Sequence, residues 1–301
     1  MFALVDCNNF YVSCERVFNP RLKGPVAVLS NNDGCIVARS QEVKDLGIPM
    51  GAPFFKYKEL LERHRTTVFS SNYTLYGDMS DRVMETLKTF TPDVQVYSID
   101  EAFLYFPTVK EAEELHAIRQ RVKQWTGIPV SIGMARTKTL SKMANHLAKK
   151  QKSGVVILED GDIAQRLQNF PIEDIWGIGR QYGSFLRSKG IRTALQLRDV
   201  EDAWARKHMT VVGLRMVWEL RGISCLPLEE LPLAKKSVIC SKSFGHPITD
   251  FEELCEATSS YVARACKRSE NMTRRPRFFP FLPLFMIETI TITQPTKTAS
   301  H

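Results

Sequence analysis

Between residues 130 and 158 the sequence writes strand, amphipathic helix and strand in turn, and this order constrains the fold more than any other feature. Val130-Ser-Ile132 and Val155-Val-Ile-Leu158 are short apolar runs, and residues 137–150 between them carry helical periodicity. On that helix Leu140, Met143, Ala144, Leu147 and Ala148 fall at i, i+3, i+4, i+7 and i+8, the spacing of one buried face. A helix burying one stripe beside apolar strands belongs to an α/β layer. Further strands are expected at Phe2-Ala-Leu-Val5, which ends at Asp6, and at Val26–Leu29 and Ile36–Ala38, joined by the turn signal Ser30-Asn-Asn-Asp-Gly34. Val94 to Tyr105 reads as an aromatic, β-branched hairpin, with a charged helix near residues 110–125. From about residue 166 to 231 strand signals give way to short helices with glycine breaks, and Leu226–Leu233 reads as an extended connector. At 301 residues a single core nears its size limit, so two or more subdomains are expected.

Composition narrows the class. Hydrophobic residues make up 44% and charged residues 25%, which excludes a disordered chain, a collagen-like repeat or a coiled-coil rod. The seven cysteines are odd in number and form no Cys-x-x-Cys pair, as expected of reduced thiols in a cytoplasmic protein. The opening apolar run stops at Asp6, too early for a secretory leader. The longest apolar stretch, Phe278–Ile287, holds two prolines and is too short to cross a bilayer. Gly-x-Ser-x-Gly, Walker-type and paired-histidine motifs are absent from the sequence, which sets aside serine hydrolases, P-loop ATPases and zinc hydrolases. The net charge of +8 is uneven. Residues 177–301 carry 19 basic and 12 acidic side chains, whereas residues 1–176 carry 22 and 21. A basic second half suits a polyanion, and a solvated basic face kept for solubility accounts for it equally well.

The residues able to carry chemistry are carboxylates and lysines. Asp6 ends a buried strand, and Asp100-Glu101 lies inside Tyr97-Ser-Ile-Asp-Glu-Ala-Phe103. Adjacent carboxylates in an apolar strand are costly to bury without compensation. Exposure on a hairpin edge is one solution. The other is a hard cation with oxygen ligands, Mg²⁺, and a pair of such ions supports nucleotidyl transfer. Residues 136–152 hold six basic groups and no acid. At about 100° per residue, Lys138, Lys142 and Lys149 fall within roughly 40° of one another, opposite the buried face. That stripe fits solvent or phosphate contact. Ile175-Trp-Gly-Ile-Gly179 followed by a helix over 181–188 and a Gly190 stop reads as a helix–hairpin–helix, whose backbone N–H groups bind duplex phosphates without reading sequence. A plain turn between helices has the same pattern.

At this point the residues resemble the Y-family translesion DNA polymerases. The likeness rests on Asp6-Cys-Asn-Asn-Phe-Tyr11, Ser30–Gly34, Phe69-Ser-Ser-Asn-Tyr73, Tyr97–Phe103, Ala135-Arg-Thr-Lys-Thr-Leu140, Asp174–Arg180 and Ser241-Lys-Ser-Phe-Gly245, and it covers about residues 1–266. It implies a right-hand polymerase with an α/β palm (1–10 and 75–165), small fingers (11–74), a helical thumb with the helix–hairpin–helix (166–231) and an incomplete little finger beginning at 237–266. It also implies template-directed, two-metal synthesis on damaged DNA. Asp6, Asp100 and Glu101 then match the carboxylates for two Mg²⁺ ions, with the Cys7 carbonyl as a backbone ligand. Tyr11 stands where the family has its steric gate against a ribose 2′-hydroxyl, and Lys44 and Lys149 match the residues that meet the incoming triphosphate. The family's usual Thr and Tyr triphosphate partners fall at Ala38 and Gln41. Ser98 is expected to orient the acidic pair. Gly177, Gly179, Arg180, Lys138 and Lys142 are expected on DNA. The implied partners are primer-template DNA, dNTPs, a UmuD′-like subunit, a RecA filament and a sliding clamp, the C-terminal contacts being lost. Residues 267–301 depart from the family, resemble a reading-frame change and carry an aggregation risk. Two other readings stand beside this one: a shortened family member that binds DNA or partners without polymerising, and a helix–hairpin–helix glycosylase or nuclease, which leaves Asp6 and Tyr11 unexplained.

Overall fold

The computed structural model describes residues 1–228, 240, 244 and 248–270. The chain divides into two compact units, residues 1–231 and 232–301. The first opens with β1 (Phe2–Cys7), α1 (Phe10–Phe18), β2 (Val26–Leu29), β3 (Ile36–Arg39), α2 (Gln41–Asp45), α3 (Phe54–Arg63) and β4 (Thr67–Phe69). It continues through α4 (Tyr73–Lys88), β5 (Val94–Val96), β6 (Glu101–Tyr105), α5 (Ala112–Thr126), β7 (Val130–Ala135), α6 (Lys138–Ala148) and β8 (Val155–Ile157). Helices α7 (Asp160–Gln168), α8 (Arg180–Ser188), α9 (Ala194–Arg198) and α10 (Asp202–Leu220) follow. In the second unit α11 spans Phe251–Glu270, and the Phe244 ring lies 6.4 Å from that of Tyr261.

The main sheet has the order β5-β6-β1-β7-β8. Strand β1 is antiparallel to both neighbours, and β7 is parallel to β8 across the α6 crossover expected from the sequence. Every residue of β1 is buried, because helices cover both faces. Ala3, Val5 and Cys7 join Ile132, Met134 and the inner residues of α4 and α5 in one apolar cluster. Alternation sends Leu4 and Asp6 to the other face, toward α6. Gly133 lets α6 approach that face: a Cβ there would lie 2.0 Å from the Asn145 backbone nitrogen. A second sheet, β3-β2-β4, has its own small core around Leu29, Ile36, Val43 and Leu61. A third cluster joins α6 to α7–α10.

The strand–turn–strand at 26–38, the hairpin at 94–105 and the helix ending before Gly190 form as the sequence indicates. Two readings need correction. Helix α10 runs 19 residues, and its break lies at Thr210 (φ 62°) instead of at a glycine. Helix α6 is buried almost all round, between the sheet and the helical layer, so its basic residues do not form a solvent-facing stripe. Residues 229–233 of the expected connector lie outside the described residues, as do most of 237–247 and all of 271–301; α11 continues unbroken through 267–270. Among the described residues no helix is long and apolar enough to cross a membrane. Cys7, Cys14, Cys35, Cys225, Cys240 and Cys255 are free thiols.

Candidate active site

The site is assembled where β1 ends beside the β5–β6 turn. Ladder register sets Asp6 directly opposite Glu101 on one side and Ser131 on the other, so all three side chains share the face that α6 covers. The turn carrying Asp100 is tightly tied. Tyr97 N and Ser98 N donate to the Glu101 carbonyl (3.0 and 3.1 Å), Cys7 N donates to the Asp100 carbonyl (2.8 Å), and Ser98 Oγ donates to Asp100 Oδ1 (2.7 Å). The expected orienting contact of Ser98 is therefore present. Just past this end of β1, Asn9 adopts a left-handed conformation (φ 49°), which asparagine tolerates better than most residues. That bend starts α1 at once and sets Tyr11 near the carboxylates. Its ring stacks on Tyr76 (centroids 4.3 Å, 14°) and meets Tyr73 edge-on. Tyr76 is fully buried and donates its hydroxyl to Glu15 (2.7 Å), so the wall behind Tyr11 is firm.

Two lysines from α6 and its C-terminal end close the site. Lys149 Nζ donates to Asp6 Oδ2 (2.6 Å) and Lys142 Nζ to Glu101 Oε2 (2.9 Å). The carboxylates thus find their bases across the fold, some 143 and 41 residues away in sequence. Burial pushes the Asp6 carboxyl up to about 7 despite Lys149. Burial also acts to raise Glu101, but its hydrogen bond with Asp6 and the Lys142 ammonium prevail and hold it below the ordinary value. The site thus disfavours the charged form of Asp6 and favours that of Glu101. Burial, followed by the neighbouring Arg39 and Lys149 cations, lowers the Lys44 ammonium, which places Lys44 on the same side of the site. Ala38 is buried, and Gln41 donates to Asp45 (2.8 Å).

Lys138 departs from expectation. It is 3% exposed and donates to Gln95 and to the Pro227 carbonyl (2.6 Å), with the Phe2 and Phe103 rings nearby. Packing of the α6 N-terminus under α10 and the Cys225–Leu228 segment leaves Lys138 almost no exposed surface. Lys142, also expected on DNA, faces Glu101. Gly177, Gly179 and Arg180 are exposed at the tip of the hairpin, where Gly177 has φ 90° and Gly179 precedes α8.

Sequence reading missed two groups. Trp176 donates its indole N–H to the Tyr97 hydroxyl (3.1 Å), and both rings lie against Lys142. Glu219 is fully buried and accepts from Thr139 N (3.0 Å), Cys225 N (2.6 Å) and Leu226 N (3.2 Å). A lone Glu inside an apolar helix is the one signal that pointed to the latter.

The impB/mucB/samB family matches residues 5–146, and its C-terminal domain matches residues 235–278. Protein UmuC of Salmonella typhimurium is 49% identical over 287 residues, covering 92% of this chain and 68% of UmuC. The chain belongs to the impB/mucB/samB family of Y-family translesion DNA polymerases. Another relative, MucB of Escherichia coli, is 41% identical over 90% of this chain and 66% of its own length, so the chain spans about two thirds of such relatives. DNA polymerase IV 1 of Halalkalibacterium halodurans is 30% identical over 81% of this chain and 59% of its own length. The Y-family polymerase chimera Dbh-Dpo4(243-245)-Dbh shares the fold, with a TM-score of 0.76 at 22% identity over 89% of this chain and 80% of that one. The family match through residue 278 extends the likeness past 266, where the sequence motifs stop.

Proposed function

We propose that this family member performs template-directed nucleotidyl transfer with Asp6, Asp100 and Glu101 as its metal carboxylates. One observation carries the reading: ladder register sets Asp6 opposite Glu101, with Asp100 tied to the same strand end, and Lys149 and Tyr11 adjoin them. Among the described residues no group of three such side chains already surrounds one point; Lys149 contacts Asp6 and Lys142 contacts Glu101. The donor set nevertheless fits Mg²⁺. It is all oxygen, and burial disfavours the charge on Asp6 unless a cation offsets it. Asp6, Asp100, Glu101 and the Cys7 carbonyl would hold two ions, which supply charge neutralisation for the attacking hydroxyl and the leaving pyrophosphate.

The chain's own residues do the rest. With the ions bound, Asp6 would exchange its Lys149 contact for them, leaving Lys149 free to meet the triphosphate with Lys44. Tyr11, backed by Tyr76, fills the space a ribose 2′-hydroxyl would need. Gly177, Gly179 and Arg180 grip the backbone of primer-template DNA. The palm is taken as 1–10 and 75–165, the fingers as 11–74 and the thumb as 166–231; the small core around Leu29, Ile36 and Leu61 supports the fingers, whereas the other two apolar clusters each span two of these parts. On the UmuC likeness, a UmuD′-like subunit, a RecA filament and a sliding clamp are the protein partners, in the cytoplasm. Extension of a primer past a template lesion with Mg²⁺ and dNTPs tests the reading. Tight DNA binding without extension would favour a binding protein instead.

A further inference from the structure

The hairpin expected on DNA and the carboxylate expected on metal are joined through one lysine. Lys142 donates to Glu101 (2.9 Å), and its ammonium lies 4.4 Å from the Tyr97 ring centroid and 5.3 Å from that of Trp176. The two rings meet edge to face at 5.5 Å and 89°, with Phe103 packed 5.6 and 5.9 Å from them. An ammonium between aromatic faces is held electrostatically as well as by packing. The contacts close a ring. Trp176 Nε1 donates to the Tyr97 hydroxyl (3.1 Å), Tyr97 N donates to the Glu101 carbonyl (3.0 Å), and Glu101 accepts from Lys142 under both rings. Lys142 is only 16% exposed. Trp176 directly precedes Gly177, which turns the hairpin at a φ of 90° that favours glycine.

We infer that Trp176 is a positioning residue for the polymerase reaction: with Tyr97 it seats Lys142 against Glu101, so that hairpin placement on DNA sets where that carboxylate points. This rests on the polymerase reading above. The ring serves two ends at once. It keeps Glu101 from swinging away while the site is empty of substrate, and it transmits displacement of the hairpin to the catalytic strand.

The test compares wild type with Trp176→Ala, Trp176→Leu and Trp176→Phe in two ways. The first readout needs no catalysis: the rate at which limiting acetic anhydride acetylates Lys142, followed by mass spectrometry against Lys44. The second is primer extension with kcat and KM for dNTP separated. In Ala and Leu variants Lys142 is expected to be acetylated severalfold faster. Their kcat is expected to fall about tenfold, the scale of a desolvated cation–π contact, with KM little changed. Trp176→Phe, which keeps an aromatic face, should recover most of both. Trp176→Leu fills the volume, so a fold lost in the Ala variant does not remove the test. Unchanged Lys142 acetylation in a folded Leu variant overturns the inference, and so does faster acetylation with unchanged kcat. If wild type extends no primer, the polymerase reading fails, while the acetylation comparison still decides whether Trp176 seats Lys142.

Discussion

Asp6 and Glu101 face each other across the β1–β6 ladder, with Lys149 closing on the first and Lys142 on the second. Burial raises the Asp6 carboxyl to about 7 against the opposing pull of Lys149, whereas at Glu101 burial is outweighed by the hydrogen bond with Asp6 and by the Lys142 ammonium, which hold it below its ordinary value. The site is therefore electrostatically loaded before substrate arrives.

This arrangement sets a pH dependence. Asp6 keeps its proton to about pH 7 in the folded protein but loses it near 3.8 when unfolded, so its contribution to stability falls as pH rises through that window. Glu101 acts in the opposite sense in a lower window, its contribution being present above its unfolded value and lost as pH falls through its lowered one. Mg²⁺ competes with the Asp6 proton. The rise in Tm on adding Mg²⁺ is expected to be larger at pH 8 than at pH 6, and Asp6→Asn should abolish the difference. Equal shifts at both pH values in wild type would contradict the assignment.

Tyr11 is expected to govern sugar choice. Replacing it with Ala opens the space beside Tyr76 without touching a carboxylate. The ratio of kcat/KM for dNTP over rNTP should fall by at least about tenfold, since the discrimination comes from a clash. Parallel kinetics with both nucleotides check this, and an unchanged ratio would move the gate elsewhere.

Much of the site was legible because carboxylates stand out in apolar strands: Asp6 after Phe2–Val5, and Asp100-Glu101 before Ala-Phe-Leu. Helical periodicity likewise placed α6. It misled over the lysines, because periodicity shows one apolar face and says nothing of a second layer packed on the other. Sandwiched between the sheet and the helical cluster, α6 buries Lys138 and turns Lys142 to Glu101, while Lys149, just past its end, stays exposed and still reaches Asp6. The Trp176–Tyr97 contact spans 79 residues and leaves no local signature.

Glu219 offers a stability test away from the chemistry. Its carboxylate accepts from the first turn of α6 and from Cys225 and Leu226, and so fastens the end of α10 to the helix that supplies Lys142. Glu219→Ala leaves these backbone donors without their partner and is expected to cost about 2–4 kcal/mol in denaturant unfolding. Glu219→Gln keeps one acceptor oxygen and should cost less. An Ala variant as stable as wild type would show that water replaces the carboxylate.

Single-turnover primer extension by Asp100→Ala beside wild type tests the central claim most directly, with DNA affinity measured on both. The Asp100 side chain is held by Ser98 at the strand end, so its removal leaves the fold and the hairpin in place. Extension is expected to fall by about a thousandfold or more, the scale of losing charge stabilisation in a reaction centre, while DNA affinity changes little. Equal extension by the two proteins would contradict the account.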